Sequence, residues 1–176
     1  MKKVIVTYCI LFTCVAAFAS NPYKVLTGKE NLKSISKESV PILLVIDWSE
    51  TKYDGDKEVT EEWGDDYDFI INDCAKSFIA GYNEKSKGPK VMSTVEDAKY
   101  KFLITVENVD RFFDPMEFVP GFKAKVWADV KLIEVDSEDI VAEILIDEAD
   151  EGRDFVANEC FGKNFYEIGK KMAKMK

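Results

Sequence analysis

Three successive segments in the second half of the chain alternate apolar and polar residues with a period of two. In "YKFLITVEN" (100–108), Phe102, Ile104 and Val106 fall on one side, with Lys101, Leu103, Thr105 and Glu107 on the other. In "FKAKVWADVKLIEV" (122–135), Phe122, Ala124, Val126, Ala128, Val130 and Leu132 share a side, and "DIVAEILID" (139–147) repeats the pattern with Ala142, Ile144 and Ile146. Successive strand side chains point to opposite faces, so this pattern predicts antiparallel strands with one face buried. The short polar run "VDSED" then connects the last two strands.

The rest of the chain must cover that buried face. "PILLVIDW" (Pro41–Trp48) is a continuous apolar run ending in a charge, as in a strand covered on both faces. From about Asp66 to Lys85 the period changes: Tyr67, Ile71, Cys74, Phe78 and Tyr82 recur at helical spacing. Asp65 or Asp66 is the expected N-cap and "KSKGPK" the stop. A short strand is expected at "KVMS". The chain closes with a second helix whose inner stripe is Phe161, Phe165, Ile168 and Met172, with Gly162 and Gly169 placed for close approach to the sheet.

The element order is therefore β-α-β-β-β-β-α. A right-handed first crossover puts the first helix on one sheet face, and the last helix needs that same face. The prediction is an α/β (α+β) two-layer sandwich with a mixed, mostly antiparallel sheet of about five strands and two helices on one face.

The amino terminus reads as a secretory signal peptide. Lys2 and Lys3 precede the apolar stretch Val4–Val15 and the small-x-small site Ala17-Phe18-Ala19, so residues 1–19 are the expected leader. Leu11-Phe12-Thr13-Cys14 matches a lipobox poorly, so lipid anchoring at Cys14 is not expected, and no later run is long and apolar enough to span a bilayer. Residues 20–40 form a polar segment in which Tyr23, Val25 and Leu26 could add an edge strand. Residues 41–176 form a single domain. Export places the protein in a periplasmic or extracellular compartment, where Cys74 and Cys160 either pair as a disulfide or serve as small core residues.

Composition excludes more than it suggests. The net charge of −9 argues against nucleic acid and anionic lipid, which demand a basic surface. The chain has no histidine, which removes Ser-His-Asp and Cys-His nucleophilic sites and histidine-based zinc sites. It also lacks a phosphate-cradling glycine loop and a Cys-x-x-Cys pair.

The stretch "DWSETKYDGDKEVTEEWGDDYD" (Asp47–Asp68) holds ten acidic residues against two lysines and reads as an acidic loop. An EF-hand beginning at Asp54 fails, because Val59 and Asp65 stand where glycine and a bidentate glutamate are needed. Asp47, Asp110 and Asp147 are expected at one end of the sheet, beside Asp54, Asp56, Asp114, Glu148 and Asp150. The expected role is a solvated rim that favours solubility. The alternatives are a weak Ca²⁺ site drawn from Asp47, Asp54, Asp56, Asp147 and Glu148, or a carboxylate-based glycosidase needing two carboxylates across a sugar-sized cleft. No other cofactor is expected. On the outer sheet face, Leu103, Trp127 and Leu145, with Ile133 and Val141, stand among Lys123, Lys125, Lys131 and Glu143. They are either ordinary scattered apolar residues or an interface centred on tryptophan.

The succession "LTGKENLKSISKESVPILLVIDWSETKYDG", "W…FI…GYNE", "AKYKFLITVENVD" and "FYEIGKKMAK" resembles a family of secreted, uncharacterised proteins from Bacteroidetes. More loosely, it is similar to small α/β domains of envelope-assembly factors such as the TolB amino-terminal domain and curli-assembly lipoproteins. The resemblance implies a bacterial envelope compartment and supplies no catalytic residue. The expected function is a secreted or periplasmic, non-enzymatic domain that binds a protein or cell-envelope component. A Ca²⁺-binding structural protein and a small carboxylate-dependent hydrolase are the alternatives.

Overall fold

The computed structural model describes residues 21–115 and 120–175. The leader and Cys14 lie outside the described residues. A mixed sheet carries one helical layer, as the alternation predicts, but the described residues hold nine strands and four α-helices rather than about five and two. The strands are β1 (Tyr23–Thr27), β2 (Ile42–Asp47), β3 (Lys52–Tyr53), β4 (Lys57–Glu58), β5 (Val91–Met92), β6 (Tyr100–Asp114), β7 (Gly121–Glu134), β8 (Ile140–Ala149) and β9 (Arg153–Asp154). The helices are α1 (Lys29–Ile35), α2 (Val59–Trp63), α3 (Tyr67–Lys85) and α4 (Glu159–Met172).

The main sheet runs β1-β8-β7-β6-β2-β5, antiparallel from β1 to β6 and parallel from β6 to β5. The long strands obey the predicted alternation: Phe102, Ile104, Val106, Ala124, Val126, Ala128, Val130, Leu132, Ala142, Ile144 and Ile146 are all buried beneath the helices. A bulge at Glu107 shifts the β6–β7 register between Val106 and Asn108. This extra residue resets the alternation, so Glu107 is exposed and Val109 returns to the core. The residues 20–40 do contribute the edge strand, β1, with Tyr23 buried against the core while Leu26 stays exposed. They also form α1, whose Leu32 and Ile35 close one end of the inner layer.

The last helix carries the expected stripe, with Phe161, Phe165, Ile168 and Met172 of α4 buried. On α3, Cys74, Phe78 and Tyr82 are buried as expected, but Ile70 fills the first turn of the stripe while Tyr67 and Ile71 are only half-buried. Asp66 occupies the N-cap position of α3 but makes no side-chain cap, because its carboxylate accepts from Asn158 Nδ2 at 2.8 Å. The glycines of α4 act differently from expectation. They meet α3, not the sheet: a Cβ at Gly169 would lie 2.3 Å from Phe78 O, and one at Gly162 1.8 Å from Asp73 Oδ2.

Asn164 ties α4 to the sheet from a fully buried position. Its Nδ2 donates to Ala124 O at 2.8 Å and Ala149 O at 2.7 Å, spanning β7 and β8 where their register shifts. Replacing Asn164 with leucine keeps the branched outline but adds volume at a fully buried site and removes the donor that both carbonyls use. It should lower unfolding free energy by about 2–3 kcal/mol, read as a lower urea midpoint at unchanged slope.

Candidate interaction surface and the acidic segment

The acidic stretch is not a plain loop. It folds into the β3–β4 hairpin, α2 and a 3-10 turn (Gly64–Asp66), and it buries Trp48, Thr51, Tyr53, Val59 and Trp63. Thr51 Oγ1 donates to Val106 O at 2.7 Å, beside the β6 bulge. Its acids decorate the outside of a segment held by aromatic packing: Trp48 lies 5.7 Å from Trp63 and 5.5 Å from Phe165, ring centre to ring centre.

The carboxylates proposed for a cation are dispersed. Asp47 accepts from the Ser49 amide at 3.0 Å, which lowers its pKa; Asp147 pairs with Lys24 at 2.9 Å; Glu148 pairs with Lys125. Asp54, with φ of 52°, and Asp56 sit exposed on the turn of the β3–β4 hairpin. Among the described residues no three acidic or cysteine side chains come together as a metal-binding group. Asp47 on β2 and Asp147 on β8 are separated by β6 and β7, and lysines on neighbouring strands engage Asp147 and Glu148.

Cys74 and Cys160 are free, fully buried thiols. Cys160 Sγ donates to Ala157 O at 2.9 Å. Burial raises the Cys74 thiol well above its ordinary value and pushes Cys160 up to about 12. Burial likewise pushes the Tyr53 and Tyr82 phenols up to about 12. Each group ionises more readily in the unfolded chain, so its contribution is present below the unfolded pKa, about 8.5 for cysteine and 10 for tyrosine. That contribution is lost as pH rises toward 12. Stability should therefore decline from about pH 9 upward, and both thiols should resist alkylation until the chain is unfolded. A bridged native protein would instead show no free thiol after denaturation.

An open groove of about 870 Å³ runs along α3 and α4, lined by Phe69, Asp73, Lys76, Glu159, Lys163 and Tyr166 among others. Two further carboxylates on it are ion-paired: Glu151 with Lys171 at 2.8 Å and Glu167 with Lys170 at 2.7 Å. The carboxylates displaced from their ordinary range, Asp47 and Glu84, are displaced downward by hydrogen bonds, the opposite of what a general acid requires.

The outer sheet face carries no helix among the described residues. Strand register divides its apolar residues into two groups. Leu103 stands beside Val45 of β2, and Leu43 beside Met92 of β5, with Val45 and Met92 exposed. Trp127 and Leu145 stand apart on β7 and β8 as diagonal neighbours, because Lys131 opposes Leu103 and Asp129 opposes Leu145. Leu103, Trp127 and Leu145 thus share a face without forming one patch. All three are half-buried, whereas Ile133 is buried. The segment 20–40 does not cover Trp127: β1 extends the sheet sideways, and α1 buries its apolar residues in the inner core.

No helix of the described residues is long and apolar enough to cross a membrane. No protein-family model and no curated protein matches the sequence. Among solved structures the chain is similar to PelC, a dodecamer from Paraburkholderia phytofirmans, at 9% identity and a TM-score of 0.45, covering 88% of this chain and 98% of that one. It is also similar to protein XCC0632 of Xanthomonas campestris, a DUF330 protein, at 14% identity and a TM-score of 0.38, covering 78% of this chain and 84% of that one. Neither likeness carries an inference about activity.

Proposed function

We propose that the protein is a non-enzymatic binding domain, exported after removal of residues 1–19, that engages a protein or cell-envelope component through the outer face of its sheet. The observation that carries this reading is the asymmetry of the fold: the four helices of the described residues serve one face, while the other presents Trp127 and Leu145 half-buried, with no described element packed over them. A tryptophan with one face free contributes strongly to binding when a partner completes its burial. The absence of histidine and the paired carboxylates of the groove favour binding over hydrolysis.

The test is site-specific photo-crosslinking in the native envelope. A crosslinker at position 127 should capture a partner, and one at Lys76 on the helical face should not. Equal capture at both positions would overturn the reading. Trp127→Ala should abolish capture from a crosslinker at position 145 while costing about 1 kcal/mol or less of fold stability, since the side chain fills no cavity in the core.

A further inference from the structure

A second surface lies at the far edge of the sheet. β2 and β3 occupy the same column, since both pair in parallel with the same side of β6, at Tyr100–Thr105 and Asn108–Val109. The next column outward is filled at one end by β5, opposite Ile42 and Leu43, and at the other by β4, opposite Lys52 and Tyr53. Between them no strand is registered among the described residues. Beside β2 the gap covers the rows of Phe102 to Thr105, about 13 Å at 3.3 Å per residue.

Backbone alternation identifies the groups that face it. Ile42 N donates to Lys90 O at 2.8 Å, so Ile42, Leu44 and Ile46 turn their amides and carbonyls outward, while Leu43, Val45 and Asp47 turn theirs to β6. β5 ends opposite Leu43, so no strand stands beside Ile46. The other outer strand is guarded: β1 has Pro22 before it, Lys24 on it and a bulge between Val25 and Thr27. The stretch "LVID" of β2 has no such device.

The charges bordering the gap fit one kind of occupant. Lys52 and Lys57 are paired with Glu58 and Glu62, and Lys90 caps the carbonyls of Asn83 and Ser86. Glu50 and Glu61 on the adjoining segment remain exposed, and Asp47 ends β2. We propose that this gap is a strand-addition site whose occupant is an extended cationic segment of a partner protein, hydrogen-bonded to the outward backbone groups of β2. Strand addition takes its affinity from main-chain pairing and its selectivity from side chains on either side. Here Val45 and Asp47 share the outer face, so the lysines of the incoming strand would lie on that face beside Asp47, and its alternate apolar residues would meet Leu44 and Ile46 on the inner face. A second copy of this chain fits less well, since it carries the same net charge of −9.

This inference goes beyond the outer-face reading and uses different residues, so the two fail separately. The test is residue-resolved amide hydrogen exchange on the intact chain, with and without a capped peptide of alternating lysine and valine. The Ile46 amide should exchange quickly in the free protein while Val45 and Asp47 are protected, and the peptide should slow Ile46 at least about tenfold. Val45→Lys should weaken peptide binding about tenfold through like-charge repulsion, and Trp127→Ala should leave it unchanged. Ile46 protected in the free protein, or unaffected by saturating peptide, would overturn the proposal. So would protection that appears with rising protein concentration alone, which would mark a dimer edge.

Discussion

Gly81→Val should lower unfolding free energy by about 3 kcal/mol or more. A Cβ at Gly81 would lie 2.0 Å from Tyr166 O, and one at Gly169 2.3 Å from Phe78 O and 2.8 Å from Tyr82 N. Each obstacle is backbone of the opposing helix, so relief requires α3 and α4 to separate. Separation would unseat Phe78 and Tyr82 on one helix and Phe165 and Ile168 on the other, all buried. The gain in helix propensity, less than about 1 kcal/mol when valine replaces glycine, works in the opposite direction and is too small to compensate. Gly162→Ala is the control. Its Cβ would meet Asp73 Oδ2, the end of a flexible side chain, at 1.8 Å, so the carboxylate can swing aside and the net change should stay within about 1 kcal/mol. Urea denaturation of the three proteins checks this. Equal losses at positions 81 and 162 would mean that the crossing is looser than described.

The same glycines show where sequence reasoning reaches and where it stops. Gly162 and Gly169 are seven apart, so their shared helical face was legible, but spacing does not say whether that face meets strand or helix. Strands were legible because one face of the sheet is buried, which imposes period two on Phe102, Ile104 and Val106. The face shared by Leu103, Trp127 and Leu145 follows from the same parity. Their separation depends on pairing register, which places Lys131 and Asp129 between them and leaves no trace in local sequence. α1 offers only Leu32 and Ile35 as buried positions, too few for a period to emerge. α2 is five residues long, and the aromatic residues that anchor its segment, Trp48, Tyr53 and Trp63, have irregular spacing. Against ten acidic neighbours, those anchors read as loop.

Trp63→Ala should cost about 3–5 kcal/mol, the usual penalty for truncating a buried aromatic side chain. Trp63 is 5% exposed, with ring centres 5.7 Å from Trp48, 5.0 Å from Phe161 and 6.1 Å from Tyr67. It therefore links the acidic segment, the start of α3 and α4. Losing it should release α2 and the 3-10 turn before the rest of the sheet opens, so amides from Val59 to Asp66 should lose exchange protection while those of β6 and β7 keep theirs. Trp63→Phe separates the packing from the polarity of the ring. The indole Nε1 is buried with no acceptor among the described residues, a defect of about 1–3 kcal/mol that phenylalanine does not carry. That relief offsets much of the cavity left by the smaller ring, so the phenylalanine variant should fall within about 1 kcal/mol of the parent. If phenylalanine proves as costly as alanine, Nε1 has a hydrogen-bond partner such as a buried water, and the segment is held by a polar contact as well as by ring packing.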